Sequence, residues 1–296
     1  MAASISVGTA PINWNNADVP GWRPLIPFEQ VLAEMVQAGY AGTELGPGFP
    51  DDPQALRRGL KSHGLELVTA FAWTDFTRPA EHAREIEALL PLARLLADFG
   101  CRHIIVASRG TPERIAMAGR VPADGSAGLK PDQSQALADG LHKAAAACRP
   151  LGLRLAFHSH AGSWVETRDE LDTLCRLTDP ADLALCLDCG HLAYGGADPV
   201  DTFRTYAPRI EVVHLKDLDP AALARVRREP IGWLDALRLY VFTELGRGCV
   251  DAAGCVSVLN STDYHGWAIV EQDTTPRSSL ESATRSRNFL REPCGV

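Results

Sequence analysis

The chain has 296 residues, of which 46% are hydrophobic, and a formal net charge of −8. This length is usual for a single α/β barrel. The acidic balance argues against nucleic acid as a partner, because phosphate binding needs clustered Lys and Arg. No apolar run approaches the roughly 20 residues of a membrane span. The eight cysteines are scattered through apolar segments, and the first residues are too short and mixed for a signal peptide, so we expect a cytoplasmic protein with reduced thiols.

Short apolar segments alternate with segments of helical periodicity along the chain. The predicted strands span residues 5–12, 42–46, 66–71, 103–108, 153–158, 183–189, 210–217 and 267–273. The predicted helices span residues 28–38, 53–63, 79–99, 131–148, 168–177, 199–206, 251–260 and 278–290. Residues 109–128 are rich in Gly and Pro, which predicts a loop. Eight strand–helix alternations indicate a (β/α)8 TIM barrel, a single domain over residues 1–296.

One segment interrupts the alternation after the seventh strand, at about residues 218–250. Loops that follow the strands of such a barrel lie at the end where its chemistry sits. We therefore expect this insertion to lie over the active face.

Polar side chains end three successive buried strands. Asp188 ends the sixth strand, His214 lies near the end of the seventh, and Glu271 lies near the end of the eighth. The ends of parallel barrel strands converge on one face. Two carboxylates and an imidazole suit a divalent ion such as Mn²⁺, Co²⁺, Mg²⁺ or Zn²⁺. A lone histidine at a strand end is more often structural, but the joint pattern predicts a metal site.

The fifth strand ends in a further cluster, His158 and His160, with Glu166 a few residues later. Alternation along a strand places both histidines on one face. If that face is the lumen, both reach the site, and His158 supplies a metal ligand or a substrate contact. The alternative is that one histidine does not bind the metal and instead forms a hydrogen bond to a residue that does.

Two further residues are candidates for proton transfer. Lys216 lies two residues beyond His214 and so shares its face, where a cation stabilises an enolate or holds a hydroxyl group. The alternative is a surface lysine paired with Asp217. His191 lies on a predicted loop after Asp188 and is a candidate acid or base.

Three residues are candidates for substrate binding at the rim. Glu44 ends the second strand and binds hydroxyl groups or pairs locally. Trp14 and Trp73 follow the first and third strands, where aromatic rings pack against the C–H face of a sugar. Each tryptophan is equally well interpreted as a core residue.

These motifs together resemble the xylose isomerase-like barrel superfamily, and within it the dehydratases of 2-keto-polyols. The motifs are Gly8 to Trp14 with Asn15 and Asp18, Gly42 to Gly46, His158 to Gly162 with Val165 to Thr167, Leu187 to His191 with Gly195 and Gly196, Val213 to Asp217, and Val270 to Asp273. The resemblance implies a metal held by Glu, Asp, His and Glu from strands five to eight. The last three correspond to Asp188, His214 and Glu271. Ala156 stands where many relatives have the first glutamate, so His158 or Glu166 must replace it.

The implied reaction is elimination of water next to a ketone through a metal-stabilised enolate, with 2-keto-myo-inositol as the expected substrate and Mn²⁺ or Co²⁺ as the expected metal. The base is Glu271, His158 or a neighbouring histidine, and the acid is His191 or Lys216. A ketose epimerase or isomerase would share the enolate and differ in the second step. A DNA-repair endonuclease disagrees with the acidic charge, and a non-catalytic sugar-binding barrel disagrees with the intact ligand set. The sequence does not decide between a monomer and a homo-oligomer.

Overall fold

The computed structural model describes residues 4–296. Eight parallel strands close into a barrel in the order β1–β10–β7–β6–β5–β4–β3–β2, and β8 and β9 form a separate antiparallel pair. The strands are β1 Ser4–Thr9, β2 Gly42–Leu45, β3 Glu66–Thr74, β4 His103–Ser108, β5 Arg154–His158, β6 Leu183–Asp188, β7 Ile210–Leu215, β8 Asp217–Leu218, β9 Phe242–Thr243 and β10 His265–Val270. The predicted barrel is confirmed.

Helices surround the barrel and connect its strands. They are α1 Phe28–Ala38, α2 Pro53–His63, α3 His82–Asp98, α4 Pro112–Ala116, α5 Pro131–Cys148, α6 Arg168–Leu177, α7 Cys189–Tyr194, α8 Pro199–Tyr206, α9 Pro220–Arg228, α10 Trp233–Arg238, α11 Ala252–Asn260 and α12 Ser279–Arg291. In residues 4–296, none of these helices is long and apolar enough to cross a membrane.

The helix ends follow local capping rules. The Asp52 side chain accepts hydrogen bonds from the second and third residues of α2, and Gly64 ends this helix at a φ of 66°. Thr167 and Glu170 form a capping box at the start of α6. Because such caps satisfy backbone groups that a helix end leaves unpaired, sequence alone fixes the bounds of these helices.

The lumen is apolar below the predicted site. A layer of apolar side chains fills it, formed by Phe71, Ile105, Ala156, Ala184, Cys186 and Val212. Alternation along β5, β6 and β7 then brings the residues two positions later to the same face. These residues are His158, Asp188 and His214, which therefore lie directly above the apolar layer.

The structure differs from the prediction at several strand ends. β1 ends at Thr9, and Pro11–Asn13 form a 3₁₀ turn, since proline has no N–H to continue the ladder. The predicted loop at His191 is wrong, because residues 189–194 form α7. The Asp188 side chain accepts the His191 N–H at 2.9 Å and so caps this helix. β3 extends to Thr74, so Trp73 lies on the strand, and the loop at 109–128 contains α4.

Residues 217–250 form α9, α10 and the β8–β9 pair after β7. The Asp217 carboxylate accepts the N–H groups of Gly246, Gly248 and Val250, each at 2.9 Å. These bonds hold the end of the segment against its start. As a result, α10 places the buried Trp233 beside His160 and His191, with ring centroids 5.3 Å apart in each case.

Candidate active site

Three side chains from neighbouring strand ends meet inside the barrel. Asp188 ends β6, His214 lies on β7 and Glu271 follows β10. His214 Nδ1 lies 3.1 Å from Glu271 Oε2 and 3.9 Å from Asp188 Oδ2. Lys216 Nζ lies among them, 2.9 Å from Glu271 Oε2 and 3.6 Å from Asp188 Oδ2. All four residues are buried.

Glu44, on β2, reaches this group from across the lumen. Its Oε1 lies 2.8 Å from Nε2 of His214. Because a carboxylate only accepts, Nε2 carries hydrogen in this bond, and the neutral ring presents a lone pair at Nδ1. That lone pair faces the Glu271 carboxylate. Two such groups repel each other at this distance unless a proton or a cation lies between them.

The donor set fits a divalent cation. Asp188 Oδ2 and His214 Nδ1 are buried, and neither has a hydrogen-bond partner in the described residues. Carboxylate oxygens and an imidazole nitrogen are ligands that Mn²⁺, Co²⁺ and Zn²⁺ accept. His158 lies beside this set, with Nε2 3.6 Å from Asp188 Oδ2. The hydrogen bond from His214 to Glu44 is the arrangement that orients metal-bound histidines.

Charge at the centre of the site is balanced by two cationic groups. Burial opposes the charged form of Lys216, but Asp273, Glu271 and Asp188 raise its pKa well above the usual value. Burial likewise opposes the charged form of His214, but Cys186, Glu271 and Glu44 raise its pKa. Ligands must be deprotonated to bind a metal, so a divalent ion that bound here would displace the proton of His214.

A cavity of about 200 Å³ opens onto this group. Its polar and aromatic walls are formed by Asp18, Glu44, Phe71, Trp73, His158, His160, His214, Lys216, Glu271 and Asp273. Pockets for drug-sized ligands run to about 300–1,000 Å³. The cavity therefore suits a single small polar molecule.

Aromatic rings form one wall of the cavity. Trp73 contacts Phe71 and His160 edge-on, with ring centroids 5.0 Å and 4.8 Å apart. His160 in turn stacks on His191 at 3.9 Å. Burial lowers the pKa of His160 to about 3 and lowers the pKa of His191 well below its usual value. Both rings are therefore neutral at physiological pH.

Two residues predicted to bind substrate lie away from the cavity. Trp14 is fully buried on the outer side of the barrel, where its Nε1 donates to Glu34 Oε2 at 2.6 Å. Glu166 is also buried, and its carboxylate accepts backbone N–H groups from Gly162 and Gly119. Neither side chain is among those that line the cavity. Trp14 instead bonds to α1, and Glu166 joins the loops that follow β4 and β5.

Glu44 lines the cavity and also pairs locally, since its Oε1 is hydrogen-bonded to His214. Hydroxyl binding through its other oxygen stays a prediction. The other predicted site residues are brought together at the C-terminal end of the barrel. These are Trp73, His158, His160, Asp188, His191, His214, Lys216 and Glu271.

The prediction missed Asp273 and Trp233. Asp273 lines the cavity, and its Oδ1 lies 2.9 Å from Lys216 Nζ. It lies two residues after Glu271, so the alternation that selected Lys216 would also have selected Asp273. Trp233 lies in the insertion, and no local pattern in the sequence indicates which of its residues faces the barrel.

Comparison with known proteins identifies close relatives. A family model described as a xylose isomerase-like TIM barrel matches residues 32–292. The chain is 40% identical over 275 residues to an inosose dehydratase of Geobacillus kaustophilus, covering 91% of this chain and 88% of the relative. It is 31% identical over 293 residues to an inosose dehydratase of Clostridium beijerinckii, covering 98% of each chain. A crystal structure of the IolI protein with a zinc atom has a TM-score of 0.72 at 14% identity, covers 98% of each chain, and shows the same fold.

Proposed function

Because this chain belongs to the xylose isomerase-like TIM barrel family, and within it to the inosose dehydratases, we propose that it removes water from a 2-keto-polyol, with 2-keto-myo-inositol as the substrate. Family membership makes the protein a dehydratase, that is, a lyase that acts on a sugar-like molecule. We place the reaction in the cytoplasm, as a step of inositol breakdown.

The proposed metal ligands are Asp188, His214 and Glu271, with His158 as the fourth. When bound, a divalent cation acts as a Lewis acid on a ketone oxygen and so increases the acidity of the neighbouring C–H bond. Mn²⁺ and Co²⁺ are the proposed metals, and Mg²⁺ and Zn²⁺ have compatible chemistry. The observation that carries the proposal is the meeting of unpartnered Asp188 Oδ2 and His214 Nδ1 with the Glu271 carboxylate beside a small cavity.

We assign the proton abstraction to Glu271. Its carboxylate lies on the cavity wall, and Lys216 and His214 contact the same oxygen, Oε2. The other carboxylate oxygen can face a substrate that enters the cavity. Glu271 would then receive the proton from the carbon next to the ketone.

We assign the protonation of the departing hydroxyl group to Lys216. Three carboxylates lie within 3.6 Å of its Nζ, which favours the ammonium form as the resting state. His191 Nδ1 accepts the Ala161 N–H at 3.2 Å, so the neutral ring carries its hydrogen on Nε2, 3.1 Å from Lys216 Nζ. That hydrogen faces an ammonium unfavourably but would donate to the amine that remains after proton transfer. His191 thus favours loss of the proton from Lys216.

The remaining cavity walls hold the ring of the substrate. Trp73 and Phe71 offer apolar faces to its C–H groups, and Asp273 and His160 offer hydrogen-bond acceptors to its hydroxyl groups. Trp233 covers His160 and His191 and keeps water from this side of the site. Exclusion of water would disfavour reprotonation at carbon, the step that an epimerase needs.

Metal removal and restoration test the proposal. The protein stripped with a chelator should lose the conversion of 2-keto-myo-inositol, and Mn²⁺ or Co²⁺ should restore it. Asp188→Ala should bind less than one metal ion per chain and stay inactive after metal is added. Full activity of the stripped protein, or full metal occupancy in Asp188→Ala, would contradict the metal-dependent reaction.

A further inference from the structure

Glu166 is a buried carboxylate that the proposed reaction does not use. It lies on the loop between β5 and α6 and is 1% exposed. Its Oε2 accepts the N–H of Gly162 at 2.5 Å, and its Oε1 accepts the N–H of Gly119 at 2.7 Å. Each oxygen therefore has its own backbone donor. These bonds hold the backbone at Gly162 and at Gly119 in place.

The first of these bonds fixes the peptide group between Ala161 and Gly162, whose carbonyl oxygen contacts His160. Gly162 N and Ala161 O belong to the same peptide unit, and Ala161 O lies 2.8 Å from Nδ1 of His160. A carbonyl oxygen only accepts, so Nδ1 of His160 carries the hydrogen and Nε2 carries the lone pair. The Ala161 N–H, which belongs to the preceding 160–161 peptide, donates to Nδ1 of His191 at 3.2 Å.

The two histidines therefore have opposite tautomers. His160 keeps Nε2 as the ring nitrogen able to accept a hydrogen bond in the cavity that it lines. His191 carries its hydrogen on Nε2, which lies 3.1 Å from Lys216 Nζ. Both assignments depend on how the backbone at Ala161 is oriented. A rotated 161–162 peptide would turn the carbonyl oxygen away from His160, and the ring could then carry its hydrogen on either nitrogen.

Close packing around the loop leaves this peptide little freedom. Gly162 has a φ of 75°, and the His160 and Ser163 backbones are tied within the loop by bonds of 3.1 Å to Val165 O and His160 O. A side chain at Gly195 would collide with the carbonyl oxygen of Glu166. The Glu166 carboxylate joins this loop to Gly119, which follows α4. It therefore connects the loops after β4 and β5 at the point where the peptide is set.

We propose that Glu166 is a positioning residue for this active site: by fixing the 161–162 peptide, it sets the tautomer of His160. The inference rests on the proposed function for its effect on the reaction. His160 Nε2 then accepts a hydrogen bond from a hydroxyl group of the substrate. The ionised carboxylate offers one oxygen acceptor to each N–H donor, whereas the NH₂ group of a glutamine would face one of the donors.

Histidine tautomers can be measured directly in the Zn²⁺-loaded protein labelled with ¹⁵N at its nine histidines. Nitrogen shifts distinguish a protonated ring nitrogen from an unprotonated one, and His160→Gln and His191→Gln assign the signals. The wild-type protein should show hydrogen on Nδ1 of His160 and on Nε2 of His191. If the wild-type spectrum shows the reverse tautomer at His160, the proposal is overturned before any variant is made. This measurement does not depend on whether the protein dehydrates a keto-inositol.

Glu166→Gln should convert His160 to a mixture of tautomers and lower kcat about 10- to 100-fold while zinc content stays unchanged. Glu166→Asp, which keeps the charge but is one methylene shorter, should give an intermediate loss. Glu244→Gln is the matched control, because Glu244 is also buried and its bonds go to Ser282 and Arg277. Unchanged tautomers in Glu166→Gln, or an equal change in Glu244→Gln, would overturn the proposal. If Glu166→Gln does not fold, Glu166→Asp and the wild-type spectrum decide.

Discussion

The bond between Glu44 and His214 joins two residues that lie 170 positions apart in the sequence. It sets which nitrogen of His214 faces Asp188 and Glu271. The sequence predicts that His214 approaches the other two ligands, because all three end neighbouring strands. It does not predict the partner on β2, because that strand is separated from β7 by two others around the barrel. Pairing across a lumen depends on the barrel's closed geometry.

Removal of the Glu44 carboxylate should weaken metal binding. In Glu44→Ala, Nε2–H of His214 would lose its buried acceptor, and the ring could shift its hydrogen to Nδ1, which faces the other ligands. Loss of such a supporting contact typically lowers metal affinity 10- to 100-fold. Zinc titration against a competing chelator would measure this loss. Glu44→Gln retains an acceptor oxygen and is the control, so equal affinities in the wild type and Glu44→Ala would contradict the role of Glu44.

Glu166 should also make stability depend on pH. Burial raises its pKa from 4.5 to about 7, although the bonds from Gly162 and Gly119 and the charge of Arg114 lower it, and Glu170 and Tyr194 are the other ionisable groups that face it. The folded state therefore holds this proton more tightly than the unfolded chain. Stability from this group is complete below about pH 4.5 and falls as pH rises to about 7, by about 3 kcal/mol.

Urea unfolding at several pH values measures this effect. The free energy of unfolding of the wild type minus that of Glu166→Gln should decrease between pH 5 and pH 7 and stay constant above pH 7.5. Parallel curves for the two proteins over this whole range would show that Glu166 does not titrate as proposed.

Among the helices and strands, the sequence predicts bounds best where neighbouring residues in the chain determine them. The bounds of α2, α5, α6 and α8 and of β4 agree with the predicted ranges. Caps, prolines at the first helical position and glycines at the ends mark most of these helices. The same rules did not reveal α7, whose first turn is capped by a residue that also ends a strand and belongs to the site. The sequence pattern also does not distinguish the core residue Trp14 from the cavity residue Trp73, since both follow apolar segments.

The insertion should act as a cover through α10. Trp233 is buried against His160, His191, Tyr194 and Phe242, with ring centroids 5.3 to 5.8 Å away. Trp233→Ala should lower the free energy of unfolding by about 3–5 kcal/mol and lower kcat by admitting water beside the histidines. Urea unfolding and steady-state rates of water loss measure both effects.

Leu234 provides the matched control, because it is the next residue of α10 and is 38% exposed. Leu234→Ala should stay within about 0.5 kcal/mol of the wild type and keep its rate. If Trp233→Ala behaves like Leu234→Ala, α10 does not serve as a cover for the histidines.

The whole molecule explains why the central residues were predictable. A parallel barrel brings all strand ends to one rim, so Asp188, His214 and Glu271 could be assigned to one place without any knowledge of distances. The role of Glu166 could not be assigned in this way, because it depends on which backbone N–H groups the closed barrel places beside its carboxylate. The chain's relatives supply the reaction class, and the cavity supplies the size of the substrate.

Mass spectrometry of 2-keto-myo-inositol treated in D₂O with the Mn²⁺-loaded protein tests the dehydration most directly. We predict a product whose formula lacks one water and that carries deuterium at the carbon that lost the hydroxyl group, because the enol left by elimination takes up a solvent proton there as it becomes a ketone. Little deuterium should enter the substrate that remains, because Lys216 protonates the leaving hydroxyl group faster than the carbon is reprotonated. A substrate of unchanged composition that gains deuterium at carbon would instead show an epimerase or isomerase and contradict the proposed reaction.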